Sequence, residues 1–214
     1  MAVDQTLQGK VEVVPLFATP IVIGHPGDGP ALNVALREAI LAREKTHPST
    51  HHSNKGGWQS AWDMPEWGGA ALTRLLDFAR ETATRLTIDR DGKSVAPQWK
   101  VNCWANINRS GHGNEFHCHP GSFWSGTYYV DDGGIATDSA LGGELEFMDP
   151  RGPAPAMYAP LLTFAVPGGA SIGASQTITP RAGMLVLFPA WVLHAVRPYG
   201  GKATRISIAF NLSL

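Results

Sequence analysis

Charge is scarce in this chain. Charged residues make up 16% of its 214 residues, and 17 Lys and Arg face 18 Asp and Glu for a formal net charge of -1. With no basic excess to neutralise phosphates, general nucleic-acid binding and electrostatic attachment to a membrane surface lose their physical basis. Cysteine is scarcer still. Cys103 and Cys118 are the only two, too few for a disulfide scaffold or a Cys-type zinc site. They read as free thiols in a reducing compartment. No apolar run approaches the ~20 residues of a membrane span. Met1–Val14 lacks the basic start and continuous apolar core of a signal peptide. The expectation is a soluble, cytoplasmic protein with no membrane partner.

What is present points to turns and a core. Hydrophobic residues are 43%, and there are 24 glycines and 16 prolines, which favours short strands over a helical bundle. No polar linker divides the chain, so 1–214 reads as one domain. Residues 1–96 form an N-terminal strand and helical support region, and 97–214 form a β core carrying the site.

In Val11–Ile23, two β-branched runs suggest a strand, and Pro15 and Pro20 confine it to an edge. Leu32, Leu36, Ile40 and Leu41 fall on one face of a helix over Pro30–Lys45. Thr46–Gly69 reads as a loop. Leu72, Leu75, Leu76, Phe78 and Ala79 form the apolar side of a helix over Gly69–Ile88. After Pro97 the helical period stops. Seven short β-type runs follow, separated by Gly, Pro and Asp: Trp99–Asn108, Ser125–Val130, Gly143–Phe147, Leu161–Val166, Ser175–Thr179, Met184–Phe188 and Arg205–Asn211. Met148–Pro160 reads as an irregular loop and Pro167–Gly173 as a tight connection. The class is α+β, mainly β, with two N-terminal helices packed on an antiparallel double-sheet core of sandwich or barrel type.

The most informative stretch is Asn114-Glu-Phe-His-Cys-His-Pro-Gly-Ser122. On an extended strand, side chains at i and i+2 share a face, so His117 and His119 could converge on one ion while Cys118 points away. A third histidine, His194, comes much later. Imidazole suits iron, zinc, copper and nickel alike. A lone H-x-H pair is also compatible with two hydrogen-bonded histidines at a strand end.

Five elements follow one another in order: His117-x-His119-Pro120, Ser125-Gly-Thr-Tyr-Tyr129, a Gly-Glu strand at Gly143–Phe147, His194 and Arg205. This order resembles the double-stranded β-helix (jelly-roll, cupin-like) oxygenases that use Fe(II) and 2-oxoglutarate. Within them it resembles a small bacterial and phage group with an H-x-H-P…S-G-x-Y-Y signature. The resemblance spans Trp99 to Leu214. It implies a dioxygenase that consumes 2-oxoglutarate and hydroxylates a small molecule or a peptide side chain. It further implies that His117 and His194 hold the metal and that Arg205 grips the far carboxylate of 2-oxoglutarate. Tyr129 matches a phenol that hydrogen-bonds the same carboxylate, with Tyr128 facing the opposite way.

One position departs from that pattern, because His119 stands where Asp or Glu is expected. It could be a true third ligand, giving a His117, His119, His194 set. It could replace His117 as first ligand. Alternatively Glu144 or Glu146 could complete the site. A cupin-like three-histidine enzyme without 2-oxoglutarate, and a non-catalytic β-sandwich binding protein, are the rival readings.

Other residues carry weaker signals. His112, His51 and His52 read as exposed. Gly56–Trp62 could form a lid, with Trp58 and Trp62 in packing roles. Trp124 and Trp191 flank the histidines in sequence. Asn102, Asn106 and Asn108 share a strand face and need either a polar pocket or solvent. Asn211 could approach the site from the last strand. A homodimer is an open possibility.

Overall fold

The computed structural model describes residues 17–153, 157, 159, 161–162 and 174–214. Among them, β1 (Val22–Gly24) and α1 (Gly29–Glu44) come first. The short strands β2 (Asn54–Lys55) and β3 (Trp58–Gln59) follow, then α2 (Met64–Trp67) and α3 (Gly69–Arg85). The β half contains β4 (Lys100–Asn108), β5 (His112–His117), β6 (Trp124–Asp131), β7 (Leu145–Met148) and β8 (Ser175–Ile178). It continues through β9 (Leu185–Pro189), β10 (His194–Tyr199) and β11 (Arg205–Ser213).

These strands form two antiparallel sheets. One runs β1-β9-β6-β11-β4-β3 and the other β2-β5-β10-β7-β8. Strand alternation assigns each face of the larger sheet its work. On β11, Ile206, Ile208, Phe210 and Leu212 are buried on the helix side, whereas Arg205, Ser207, Ala209 and Asn211 line a cavity between the sheets. β4 repeats the pattern, with Cys103, Ala105 and Ile107 toward the helices and Asn102, Trp104 and Asn106 toward the cavity.

The helices form because their apolar residues recur at helical spacing. Pro30 sits in the first turn of α1, where its missing N–H costs nothing. Leu32, Leu36 and Ile40 are fully buried, one turn apart. On α3, Leu72, Leu75, Leu76, Ala79 and Ala83 complete the layer. Asp28, just before α1, pairs with Arg74 on α3 at 3.2 Å. A smaller core is built from Phe147, Met184, Val186, Phe188 and Val192 with Tyr129 and Leu145, and Tyr129, Leu145 and Phe188 also line the cavity.

The α+β, mainly β class and the two packed helices are as expected, and β1 is an edge strand. The stretch expected as a loop over Thr46–Gly69 instead contains β2, β3 and α2. Its strands are two residues long and gain their stability from pairing with β5 and β4, which leaves no hydrophobic period to detect. Between β2 and β3, Gly56 and Gly57 both have positive φ, 65° and 73°. A Cβ on Gly56 would sit 2.5 Å from the His112 ring, so the turn demands glycine.

Two further strands, β5 and β10, fall outside the seven β-type runs. β5 is polar and starts at a Gly-rich turn, and β10 contains Arg197 and Pro198 with two register shifts against β5. Of the expected strand at Leu161–Val166, Leu161 and Leu162 are described and are not in a strand; its remainder, the connection at Pro167–Gly173, the start of Val11–Ile23 and part of Met148–Pro160 lie outside the described residues.

Leu36→Ala removes a fully buried side chain and is expected to cost about 2–5 kcal/mol in urea unfolding. Val34→Ala, on the exposed face of the same helix at 62% exposure, should change stability by under about 0.5 kcal/mol. Equal costs at the two positions would refute the assignment of the buried face.

Candidate metal centre

His117 closes β5 and His194 opens β10, and the two are direct Cα partners across the antiparallel pair. Directly opposed residues project to the same face within about 5.5 Å at Cβ. His119 lies two residues beyond the end of β5. Its backbone N–H donates to the Ala190 carbonyl at 2.9 Å, which pins it over the β9–β10 turn. The ring centroids are 5.0 Å apart for His117–His119, 4.3 Å for His117–His194 and 5.1 Å for His119–His194. One nitrogen from each lies within 4.8 Å of the others, a spacing that suits one metal ion.

Backbone carbonyls orient two of the rings. His117 Nδ1 lies 2.7 Å from the Glu115 carbonyl, and His194 Nδ1 lies 2.9 Å from the Val192 carbonyl. A carbonyl only accepts, so Nδ1 carries the proton in both and Nε2 keeps its lone pair for an ion. Burial disfavours the imidazolium in all three rings. It holds His194 down at about 3 and His119 at about 4, with His117 adding repulsion to each. Burial lowers His117 too, against the opposing effect of its carbonyl partner. Neutral imidazoles are the metal-binding form.

The cavity holding these rings has a volume of about 480 Å³, which suits a small-molecule site. Arg205 lies in its wall and is 1% exposed. Its Nη1 donates to Asn108 Oδ1 at 3.0 Å, and its Cζ lies 5.2 Å from the Tyr129 ring centroid. Arg205 Nε and Tyr129 Oη are buried without hydrogen-bond partners. Among the described residues no carboxylate forms an ion pair with this guanidinium. A buried charge with unmet donors is costly until an anion meets it. An arginine fork with a phenol beside it matches a carboxylate. The residues present therefore fit both groups, a divalent metal at the imidazoles and a dicarboxylate reaching toward Arg205.

The structure thus brings His117, His119, His194, Arg205 and Tyr129 to one cavity. Tyr128 faces the other way, as expected, and donates to Asn33 on α1 at 2.7 Å. Three expectations need correction. His117 and His119 do not share a strand, because β5 ends at His117. With the alternation broken there, Cys118 lines the cavity instead of pointing away. Glu144 and Glu146 do not line it, since Glu146 is held by Arg197 at 2.9 and 3.1 Å on the outer face of the small sheet.

Among the weaker signals, Asn102 and Asn106 line the cavity, and Asn108 braces Arg205. Asn211 reaches the cavity and accepts from Ser125 at 2.7 Å. Trp58 and Trp124 are core residues, and Trp191 is exposed. His51 and His52 are exposed as expected, but His52 edges the cavity and stacks on Trp62 at 5.2 Å. His112 is half-buried and accepts from the Arg109 backbone N–H at 3.0 Å. Sequence reasoning missed Ser53, Gln59 and Asn114. Asn114 Nδ2 donates to Ser53 Oγ at 3.1 Å, and Ser53 Oγ lies 3.4 Å from His117 Nε2. No sequence signal marks that loop serine, because only the β2–β5 pairing brings it to His117.

The fold is that of a double-stranded β-helix protein, and the residues of its cavity fit a metal and a dicarboxylate. A family profile described as "Putative 2OG-Fe(II) oxygenase" matches residues 102–211. The chain belongs to that 2-oxoglutarate/Fe(II) oxygenase family, whose cofactor is Fe(II) with 2-oxoglutarate as cosubstrate. No curated protein matches it. Among solved structures, a Pseudomonas putida prolyl-4-hydroxylase aligns with a TM-score of 0.64 at 17% identity, covering 92% of this chain and 94% of that one. A Trichoplax adhaerens prolyl hydroxylase, in complex with a hypoxia inducible factor oxygen degradation domain peptide fragment, gives 0.62 at 15% identity over 90% and 83%. HygX from Streptomyces hygroscopicus, with nickel and 2-oxoglutarate bound, gives 0.60 at 11% identity over 91% and 83%. These likenesses share the fold. No helix among the described residues is long and apolar enough to cross a membrane.

The depressed imidazoles make metal-free stability depend on pH. An unfolded histidine titrates near 6.5, so below that pH the unfolded chain binds more protons than the folded one. Stability is therefore complete above pH 6.5 and falls as pH drops toward the folded values of about 4 and 3. His194→Asn should remove about 2 kcal/mol of the loss between pH 7.5 and 5.0. Urea unfolding of the chelated protein at both pH values measures this, and parallel curves for the two proteins would refute it.

Proposed function

We propose that this oxygenase holds its iron through His117, His119 and His194, and binds 2-oxoglutarate through Arg205 and Tyr129. The observation that carries this reading is the meeting of three neutral imidazoles and a buried, unpaired guanidinium in one cavity. Iron and 2-oxoglutarate would together activate dioxygen, one atom of which would enter succinate as 2-oxoglutarate loses CO2 and the other the hydroxylated substrate C–H bond.

The chain's residues do the positioning. The carbonyls of Glu115 and Val192 fix the proton on Nδ1 of His117 and His194, so each Nε2 would be free to hold the ion. Asn108 holds one arm of Arg205, leaving its Nε and the Tyr129 hydroxyl for the distal carboxylate. Phe188 packs on His194 at 4.6 Å and shields that ligand from water. The substrate is a small molecule or a peptide side chain, entering past His52, Trp62 and Trp104, which frame the cavity with Asn102 and Asn106. Residues 97–214 supply the proposed ligands, while 1–96 supply packing and, through Ser53, Gln59 and Trp62, part of the cavity wall. Two unpaired cysteines agree with a cytoplasmic setting.

Calorimetric titration of the iron-loaded protein with 2-oxoglutarate under anaerobic conditions tests the reading. Binding is expected in the wild type, and absence of binding would overturn it. His117→Ala and His194→Ala should each abolish stoichiometric metal, measured by elemental analysis.

Arg205→Met should weaken 2-oxoglutarate binding at least tenfold while leaving metal content intact. Because it also removes an unpaired buried charge, it should leave cosubstrate-free thermal stability equal or higher. A large loss of stability would mean that Arg205 has a structural role instead.

A further inference from the structure

The cavity carries an unused polar feature at its β3 edge. Gln59 is 3% exposed and lines the cavity. Its backbone is held on both sides: the N–H donates to Ser49 Oγ at 3.0 Å, and the carbonyl accepts from the Thr50 N–H at 2.9 Å. Its side-chain amide has no hydrogen-bond partner among the described residues. Asn106, its direct Cα partner on β4, also lines the cavity, and its side-chain amide also has none among them. Directly opposed residues hold their Cβ atoms about 5 Å apart on one face, so the two amides lie side by side. A buried amide without a partner costs free energy, and a ligand that pairs with it removes the cost. Trp104 precedes Asn106 on the same face of β4, and its ring centroid lies 5.8 Å from that of His119. Trp104 thereby joins the amide pair to the metal end, and Trp62 extends the aromatic wall at 6.2 Å from it.

Resting on the function proposed above, we propose that Gln59 and Asn106 recognise an uncharged carboxamide or lactam group of the substrate, whose body lies along Trp104. Each amide side chain offers a carbonyl acceptor and an NH2 donor. An amide group on the substrate presents the same two functions and satisfies both. A carboxylate only accepts and an ammonium only donates, so either leaves half of the pair unmet in a buried wall. No Asp, Glu or Lys lines the cavity to meet a charged substrate, and its one lining arginine, Arg205, serves 2-oxoglutarate in the reading above. Asp132 acts electrostatically on Arg205, and Glu144 Oε2 is buried without a partner, but both residues lie outside the lining. The amide can belong to a small molecule or to the side chain of Asn or Gln in a peptide, and the recognition chemistry is the same.

The test uses the full chain loaded with Zn(II), which has no redox chemistry, and saturating 2-oxoglutarate. Calorimetric titration compares phenylacetamide, phenylacetate and phenethylamine, which share a ring and differ in the polar end. The blocked tripeptides acetyl-Gly-Gln-Gly-amide and acetyl-Gly-Glu-Gly-amide make the same comparison on a peptide side chain. The expected result is saturable binding of an amide probe, about tenfold or more tighter than its charged counterparts. Whichever of phenylacetamide and the Gln tripeptide binds more tightly identifies the source of the amide. Gln59→Met keeps the side-chain length and removes the amide, and should weaken the amide probe about tenfold or more while 2-oxoglutarate still binds. Because an unpartnered buried amide is lost, thermal stability of the ligand-free protein should stay equal or rise, whereas a merely structural role for Gln59 would lower it. Asn106→Leu should weaken the amide probe in the same direction and keeps the proposal falsifiable if Gln59→Met fails to fold. No saturable binding of either amide probe, equal affinity for the charged counterparts, or unchanged amide affinity in both variants would overturn the proposal. Failure of the wild type to bind Zn(II) or 2-oxoglutarate would instead overturn the function on which it rests, and this proposal with it.

Discussion

The pairing of β5 with β10 is the constraint on which the site depends. It sets His117 opposite His194 although 77 residues separate them (194 minus 117). Because the side-chain period of a strand is two, a slip of one residue would turn one of the two rings to the outer face. Pinning of this register is therefore more consequential than any single contact within the site. The two shifts in the β5–β10 ladder fall beyond His194, between it and Val196 and between Val196 and Tyr199. They bend the far part of the strand and leave the histidine pair in place. Gly113 lets the strands approach there, since a Cβ on it would meet the Val196 carbonyl at 2.6 Å.

A second dependence runs through the larger sheet. Arg205 is the first residue of β11, which lies between β6 and β4. β6 supplies Tyr129 and β4 supplies Asn108, so three adjacent strands build the recess around the guanidinium. The other face of the same strands carries the helix-side core of Ile107, Tyr128, Ile206 and Ile208. Packing of α1 and α3 on that face thus fixes the position of a charge on the opposite one. The cost of burying Arg205 is borne by that apolar layer until a carboxylate arrives.

The departure at His119 ties the two ends of the cavity together. Replacing a carboxylate by an imidazole leaves donor geometry available and changes the charge. The ring is placed by the Ala190 carbonyl and leans on Trp104 at 5.8 Å, which in turn meets Trp62 at 6.2 Å. The third ring therefore belongs to the aromatic side of the cavity mouth, and the electrostatics of the metal end and the shape of the mouth share one residue.

Periodic features were legible in the sequence. Leu32, Leu36 and Ile40 announced α1, and the apolar alternation of Arg205–Asn211 announced β11. The order of His117, His119, His194 and Arg205 announced the chemistry, because metal and carboxylate sites need those side-chain types whatever the surrounding loops do. Features made by long-range pairing were not legible. β5 and β10 lack a hydrophobic period, and β2 and β3 are too short to have one. Ser53 and Gln59 reach the cavity only because β2 and β3 add to the edges of two different sheets. The sequence by itself determined which groups were available and which faces had to be buried, since both follow from side-chain chemistry and local period. Tertiary structure alone decided that three distant imidazoles meet, that Glu144 and Glu146 stay outside, and that Arg205 is buried with its Nε unpartnered and no carboxylate paired to it among the described residues. Each of these depends on inter-strand register, which couples residues too far apart in the chain for local pattern to encode.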